Sequence, residues 1–226
     1  VLTNVDLSSL SDGTITATAT VTDDANNTST TTDTLVLDTS ADLGNNFTLA
    51  IGASDKVTNN TEKTSVSLTL ADLDSDASTV TVRASIGGSY VDGVASRVGT
   101  TDNWTVADMD LSTLADGTVT ITATVTDVAG NTDTASDTLD LDTSADTDTN
   151  FALAIVTGDE LTNNAEKASV NMTITGVDAD ATSVSVSFND TNAATSALTQ
   201  QATWDGTNWV LTNVDLSSLS DGTITA

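Results

Sequence analysis

The sequence predicts an all-β protein built of tandem β-sandwich modules, each with about seven strands. Apolar residues alternate with Thr or Ser over many short runs, as in TITATATV at 14–21. This is the pattern of strands with one buried face and one wet face. Asp, Asn and Gly separate the runs, and helical periodicity is absent. The third observation is a long internal repeat, whose period suits a self-contained sandwich better than a short solenoid unit.

The repeat returns after 104 or 105 residues. VDLSSLSDGTITATATVTD at 5–23 recurs as MDLSTLADGTVTITATVTD at 109–127 and begins again at 214–226. Between 5–42 and 109–146, 27 of 38 positions are identical. We therefore expect a window of a longer array, with the back part of one module at 1–42, a whole module at 43–146 and the front part of another at 147–226.

The alternation also predicts which side chains face the core. Trp104 and its counterpart Trp209 recur on a strand and are predicted to be core residues, whereas Trp204 has no counterpart in the aligned sequence. The predicted inward rows of the two copies are Ile15, Ala17, Ala19 and Val21, and Val119, Ile121, Ala123 and Val125.

Composition limits the possible partners. The chain of 226 residues has 33 acidic and 5 basic residues, a formal net charge of −28. Nucleic acid and anionic membrane surfaces are disfavoured, because phosphates require Lys and Arg, whereas cations are favoured. There is no Cys and no His, so disulfides and typical zinc or copper sites are not expected. No apolar run approaches the ~20 residues of a membrane-spanning helix.

Two motifs carry a resemblance to a known family. VTDVAGNT at 125–132, followed by a strand and DTSAD, resembles the end of a bacterial immunoglobulin-like module, and GDELTNNAEK at 158–167 resembles its A–B segment. Such modules form the extender regions of giant RTX adhesins that leave Gram-negative bacteria by type I secretion. The resemblance implies an immunoglobulin-like sandwich, an extracellular location at the cell surface, and calcium that rigidifies the extender and so holds an adhesive tip away from the cell.

The carboxylates then fall at the module joints. In an immunoglobulin-like sandwich the A–B turn lies near the exit of a module, and the B–C and F–G turns lie near its entrance. Ca²⁺ takes ~6–8 oxygen ligands from carboxylates, amides, main-chain carbonyls and water, whereas Mg²⁺ demands a stricter octahedron. The predicted calcium ligands are Asp38, Asp42, Asp74, Asp76, Asp127 and Asn131 at one joint, and Asp55, Asn59, Glu62, Asp140, Asp142, Asp146, Asp148, Asp178 and Asp180 at the next. The alternative is that these residues only cap turns and stay solvated.

Other function classes receive less support. An enzyme is not expected, because no His or Cys is available and the Asp pairs recur in every repeat. A carbohydrate-binding module remains an alternative through Trp204, since such modules use exposed aromatic residues. A self-assembling filament is a third possibility, in which residues 1–42 of one chain complete residues 147–226 of another head to tail.

Overall fold

The computed structural model describes residues 2–52, 56–101, 103–156 and 161–226. The chain divides into two compact units, Val1–Thr143 and Ser144–Ala226. Strands and turns dominate both units, with a 3₁₀ turn at Glu62–Thr64, so the predicted all-β fold is confirmed. Within the described ranges, no helix has the length and apolarity to cross a membrane. The division into three modules remains a prediction.

The first unit begins with an isolated hairpin. Strands β1 (Gly13–Thr22) and β2 (Thr28–Leu37) pair antiparallel over their whole length. Their turn contains Asn26 with a φ of 68°, at the position that corresponds to Gly130 with a φ of 94° in the other copy. Asn accepts this left-handed conformation more readily than most residues.

The predicted inward row of this hairpin is wrong. Ala17 and Ala19 are exposed, and Val21 retains 66% of its accessible surface. On the neighbouring strand, Leu35 retains 46%. The reason is that β1 pairs only with β2 among the described residues, so no second sheet covers the apolar row.

The remainder of the first unit is a sandwich of two sheets. One sheet has six strands in the order β4-β10-β9-β6-β7-β8, and the other pairs β3 with β5. The strands are β3 (Thr48–Ile51), β4 (Val57–Thr58), β5 (Leu68–Ala71), β6 (Ala77–Ile86), β7 (Ser89–Arg97), β8 (Trp104–Val106), β9 (Gly117–Asp127) and β10 (Thr132–Leu141).

The two sheets enclose one core. In β9, the inward row Val119, Ile121, Ala123 and Val125 is at most 1% exposed, and Thr residues occupy the outward row. The opposite sheet contributes apolar side chains from β3 and β5 to the same cluster. Trp104 packs against this cluster and is half-buried. The inward row of this copy is therefore confirmed.

Strand pairing determines which turns share a pole. Ala77 at the start of β6 lies opposite Asp127 at the end of β9, so the loop before β6 and the turn after β9 meet at one pole. At the other pole, β4 pairs parallel with the end of β10, at Asp140 and Leu141. The chain between β2 and β3 supplies the residues that meet the first pole.

The second unit repeats part of this arrangement. Its sheets are β11-β12-β16-β15 and β13-β14, around a core that includes Met172, Ile174 and Phe188. The strands are β11 (Ala152–Ile155), β12 (Val170–Thr175), β13 (Ser185–Phe188), β14 (Leu198–Gln201), β15 (Thr203–Trp204) and β16 (Trp209–Val214).

Candidate metal site

The turn after β9 is organised by Asp127. Its Oδ1 accepts hydrogen bonds from the backbone N–H groups of Gly130 (2.6 Å) and Asn131 (2.8 Å), and its Oδ2 accepts one from Asn131 Nδ2 (2.7 Å). Asp127 is 2% exposed. Burial acts to raise the pKa of Asp127, but the hydrogen bonds from Asn131 and from the backbone of residues 129–131 outweigh it and lower the pKa. The carboxylate is therefore held charged in a buried position.

The same turn occurs in the first hairpin. Asp23 accepts hydrogen bonds from Asn27 N (2.8 Å) and Asn27 Nδ2 (2.9 Å). The local sequence thus dictates the turn in both copies. The surroundings differ, because Asp23 is exposed whereas Asp127 is buried among other carboxylates.

The loop before β6 brings Asp76 to Asp127. Val128 N donates to Asp76 O (3.1 Å), and Ser78 Oγ lies 2.9 Å from the carbonyl oxygen of Asp127, to which it donates. Sequence reasoning did not single out Ser78, because an isolated Ser in a strand carries no signal. These bonds hold the loop and the turn as one surface at the pole.

Asp38, from the segment after β2, completes the arrangement. Asn131 Nδ2 lies 3.2 Å from Asp38 O and 3.3 Å from Asp38 Oδ1, and donates to both. Asp38, Asp76 and Asp127 each offer a carboxylate oxygen, and these oxygens all lie within 4.8 Å of one another. We call these three residues the entrance cluster.

The electrostatics of the entrance cluster favour a cation. Desolvation raises the pKa of Asp76, and the negative charges of Asp38, Asp127 and Asp74 raise it further. The ion pairs Lys56–Asp137 and Arg83–Asp92 both lie outside the cluster. A divalent ion between the three carboxylates would remove the repulsion that these charges exert on one another.

Asp42 lies further along the same segment and is almost fully buried. Its Oδ2 accepts a hydrogen bond from Phe47 N (2.7 Å), while its Oδ1 is buried without a partner among the described residues. Leu43 N donates to Asp74 Oδ2 (2.8 Å). Asp42 and Asp74 therefore fix the path of the segment against the sandwich.

The second unit repeats the hydrogen bonds that Asp42 and Asp74 make in the first unit, and it adds one carboxylate. Thr147 N donates to Asp178 Oδ2 (2.9 Å), and Phe151 N donates to Asp146 Oδ2 (3.2 Å). Asp148 stands at the position of Gly44, so Asp146, Asp148 and Asp178 form a second group with oxygens within 4.8 Å of one another. We call them the second acidic group.

The other predicted ligands are engaged locally. Asn59 Oδ1 accepts from Glu62 N (3.1 Å), and Glu62 Oε2 accepts from Asn59 N (3.2 Å). Asp140 Oδ1 accepts from Thr118 Oγ1 (2.7 Å), and Asp142 N donates to Thr58 O (3.0 Å). The structure does not gather these residues into an acidic group like the two above. Asp180 is exposed on the loop before β13, and Asp55 lies outside the described residues.

Trp204 is an exposed residue at the end of β15. It retains 56% of its accessible surface and contacts Trp209 edge to face, with ring centroids 6.0 Å apart. Trp209 is half-buried against the core of the second unit. Carbohydrate binding through Trp204 remains a prediction.

Comparison with known families identifies the sandwich. Residues 50–147 match the family described as bacterial Ig-like domain. This part of the chain is similar to that family. The matched range contains Asp76 and Asp127, and Asp38 precedes it. The entrance cluster thus joins the domain to the segment before it. No curated protein was found that matches the chain.

Three solved structures are similar to the chain. A tetra-tandem repeat from the extending region of a large adhesion protein is 28% identical over 99% of this chain and 54% of its own, with a TM-score of 0.35. A Ca²⁺-stabilised adhesin, with which an Antarctic bacterium binds ice, is 26% identical over 91% and 50%, with a TM-score of 0.45. A structure from a 1.5-MDa bacterial ice-binding adhesin is 25% identical over 94% and 66%, with a TM-score of 0.41. The chain thus spans about half to two thirds of the length of each.

Proposed function

We propose that the entrance cluster binds Ca²⁺ and that the ion fastens the incoming segment to the bacterial Ig-like domain. The observation that carries this proposal is the meeting of Asp38, from before the domain, with Asp76 and Asp127 inside it. The donor set consists of carboxylate oxygens with the Asp38 carbonyl beside them, whereas Asn131 presents its Nδ2 and holds Asp38 and Asp127 as a hydrogen-bond donor. Oxygen donors of this kind suit a hard cation, and their clustering without a fixed octahedron suits Ca²⁺ better than Mg²⁺.

The ion would act as a mechanical clamp. Three carboxylates held within 4.8 Å of one another repel when no cation is bound, and this repulsion favours separation of the segment from the domain. Bound Ca²⁺ would connect Asp38 to the two turns of the domain and so restrict bending between them. The second acidic group, which joins the segment at 146–148 to the loop before β13, would act in the same way within the second unit.

This role fits an extender of a large extracellular adhesin. The repeated sequence supplies similar modules in tandem, with acidic residues where the chain enters them at 38–42 and 142–148. Calcium sites of extracellular modules have dissociation constants of ~10⁻⁴–10⁻³ M, so a site of this kind would fill at millimolar calcium. The function is structural rather than catalytic, since His and Cys are absent and the carboxylates at the site face one another. The array would project a distal adhesive tip after type I secretion.

Removal of calcium tests the mechanical role. We expect small-angle scattering of the chain to give a larger maximum dimension in 2 mM CaCl₂ than in excess EDTA. This calcium concentration is about the upper range of the dissociation constants of extracellular sites. The physical reason is that an unclamped joint samples bent conformations that shorten the average particle. Equal dimensions in both buffers would contradict the clamp. MgCl₂ at the same ionic strength is the control, because it separates ion-specific binding from simple screening.

A further inference from the structure

Arg97 holds the backbone on both sides of a predicted calcium ligand. Its Nη2 atom donates to Ser75 O (3.0 Å) and to Ala77 O (2.7 Å), the residues that flank Asp76. The Arg97 guanidinium carbon lies 5.5 Å from the centroid of the Trp104 ring, its cross-strand partner. The strand pair β7–β8 therefore holds the guanidinium in place, and the guanidinium holds the loop.

This arrangement affects the direction in which Asp76 points. Ser75 O belongs to the peptide unit before Asp76, and Ala77 O belongs to the unit after Ala77; the Asp76 carbonyl between them accepts from Val128 N (3.1 Å). Three successive carbonyls are thus held, two of them by one planar group, so the backbone around Asp76 has little freedom to rotate. The direction in which the Asp76 side chain leaves the backbone, toward Asp38 and Asp127, is therefore restricted before any ion arrives. Groups that orient metal ligands in this way typically contribute 10–100-fold to metal affinity.

The next repeat has a different residue at this position. Arg97 pairs with Trp104 across β7–β8, and Trp204 pairs with Trp209 across β15–β16. Since Trp209 is the counterpart of Trp104, Trp204 occupies the position of Arg97. The aligned sequence conceals the exchange, because residues 205–208 between Trp204 and Trp209 are two fewer than residues 98–103 between Arg97 and Trp104.

Trp204 cannot replace the guanidinium in this role. The indole carries a single N–H donor, whereas Arg97 Nη2 has two hydrogens and donates to two carbonyls. Trp204 instead packs edge to face on Trp209. The loop that carries Asp180 is therefore not held by its β15 neighbour as the Asp76 loop is held by Arg97.

We propose that Arg97 is the positioning residue for cation binding at Asp76, and that the exchange of Arg for Trp at this position gives successive repeats different calcium affinities. The proposal rests on the proposed calcium-binding function. It assigns Arg97 no direct contact with the ion, because a guanidinium is positively charged and has no acceptor atom to offer a cation. A repeat with Arg at this position has a preformed site, and a repeat with Trp must order its loop when the ion binds.

The test is calcium titration of the full chain by calorimetry, in an Asp178→Asn background that removes the contribution of the second acidic group. Arg97→Trp, which places the residue of the next repeat at this position of β7, is expected to raise the dissociation constant about 10–100-fold. The dissociation constant of Arg97→Lys should lie between those of the parent and of Arg97→Trp, since an ammonium can still donate to carbonyls. Arg83→Gln is the matched control, because Arg83 is an exposed arginine that pairs with Asp92 on the outer face of the same sheet. It should leave the constant unchanged.

A second readout separates this inference from the calcium proposal. Amide hydrogen exchange of residues 74–77, measured in EDTA, should be faster in Arg97→Trp and Arg97→Lys than in the parent and in Arg83→Gln. If exchange is faster in these variants but the parent binds no calcium, the calcium proposal is overturned, and with it the role of Arg97 in calcium affinity. The finding that Arg97 holds the loop would remain. Calcium binding that is equal in the parent, Arg97→Trp and Arg97→Lys would overturn the role of Arg97 alone.

Discussion

Asp127→Asn is expected to weaken calcium binding at the entrance cluster on the order of 10–100-fold or more, because even outer-shell partners of metal ligands contribute that much. The substitution removes one of the three negative charges and leaves the shape of the side chain almost unchanged. Asn can still accept the backbone hydrogen bonds from Gly130 and Asn131 that shape the turn. The measurement is calorimetric titration of the full chain in the same Asp178→Asn background.

Asp23→Asn is the matched control for this prediction. Asp23 shapes an equivalent turn with equivalent hydrogen bonds to Asn27, but it is exposed and belongs to neither acidic group of the described residues. If Asp127 only caps a turn, the two variants should behave alike. Equal calcium affinity in both variants and the parent would therefore contradict a ligand role for Asp127. A selective loss in Asp127→Asn is the result that the entrance cluster predicts.

The second large effect concerns stability. Leu139→Ala is expected to lower the free energy of unfolding of the first unit by about 2–5 kcal/mol, because the Leu139 side chain is 1% exposed and its removal leaves a cavity in the core. Urea denaturation followed by the fluorescence of Trp104 measures this change, in a chain whose Trp204 and Trp209 are replaced by Phe. Trp104 reports on the right region, since it packs against the same core cluster.

Leu35→Ala is the control for the core effect. Leu35 is the counterpart of Leu139 in the repeat and pairs with Ile15, as Leu139 pairs with Val119. Because Leu35 retains 46% of its surface, we expect its truncation to cost less than about 1 kcal/mol. Equal losses for the two variants would mean that the hairpin shares a core with the sandwich, contrary to the structure.

Alternation and repetition were sufficient to predict many of the strands and the inward row of β9, because these features are encoded locally. The meeting of the loop before β6 and the turn after β9 at one pole was expected only from the immunoglobulin-like fold. The exposure of β1 and β2 was not predictable from alternation, because an alternating strand becomes half-buried only when a second sheet covers its apolar face. Val21 and Val125 occupy equivalent positions in nearly identical sequences, yet Val21 is 66% exposed and Val125 is 1% exposed.

The candidate ligands were predicted as a set that was larger than the groups observed. Asp38, Asp76 and Asp127 meet because β6 and β9 are neighbours in the sheet and the segment after β2 ends at their pole. Asp140 and Glu62 have the same residue chemistry, but each hydrogen-bonds a local partner instead. The exchange of Arg97 for Trp204 was also hidden, because only strand register shows that the two residues occupy one position. Spacing along the chain does not convey register once a connecting loop changes length.

The most direct test of the calcium clamp is the position of the ion itself. A crystal grown with CaCl₂, with diffraction data collected at a wavelength where calcium scatters anomalously, would show whether an ion lies between the carboxylates of Asp38, Asp76 and Asp127. The clamp predicts an anomalous peak bonded to all three side chains, at calcium–oxygen distances of about 2.3–2.6 Å. Well-ordered carboxylates at this joint with only water between them, in a crystal grown at millimolar calcium, would contradict it.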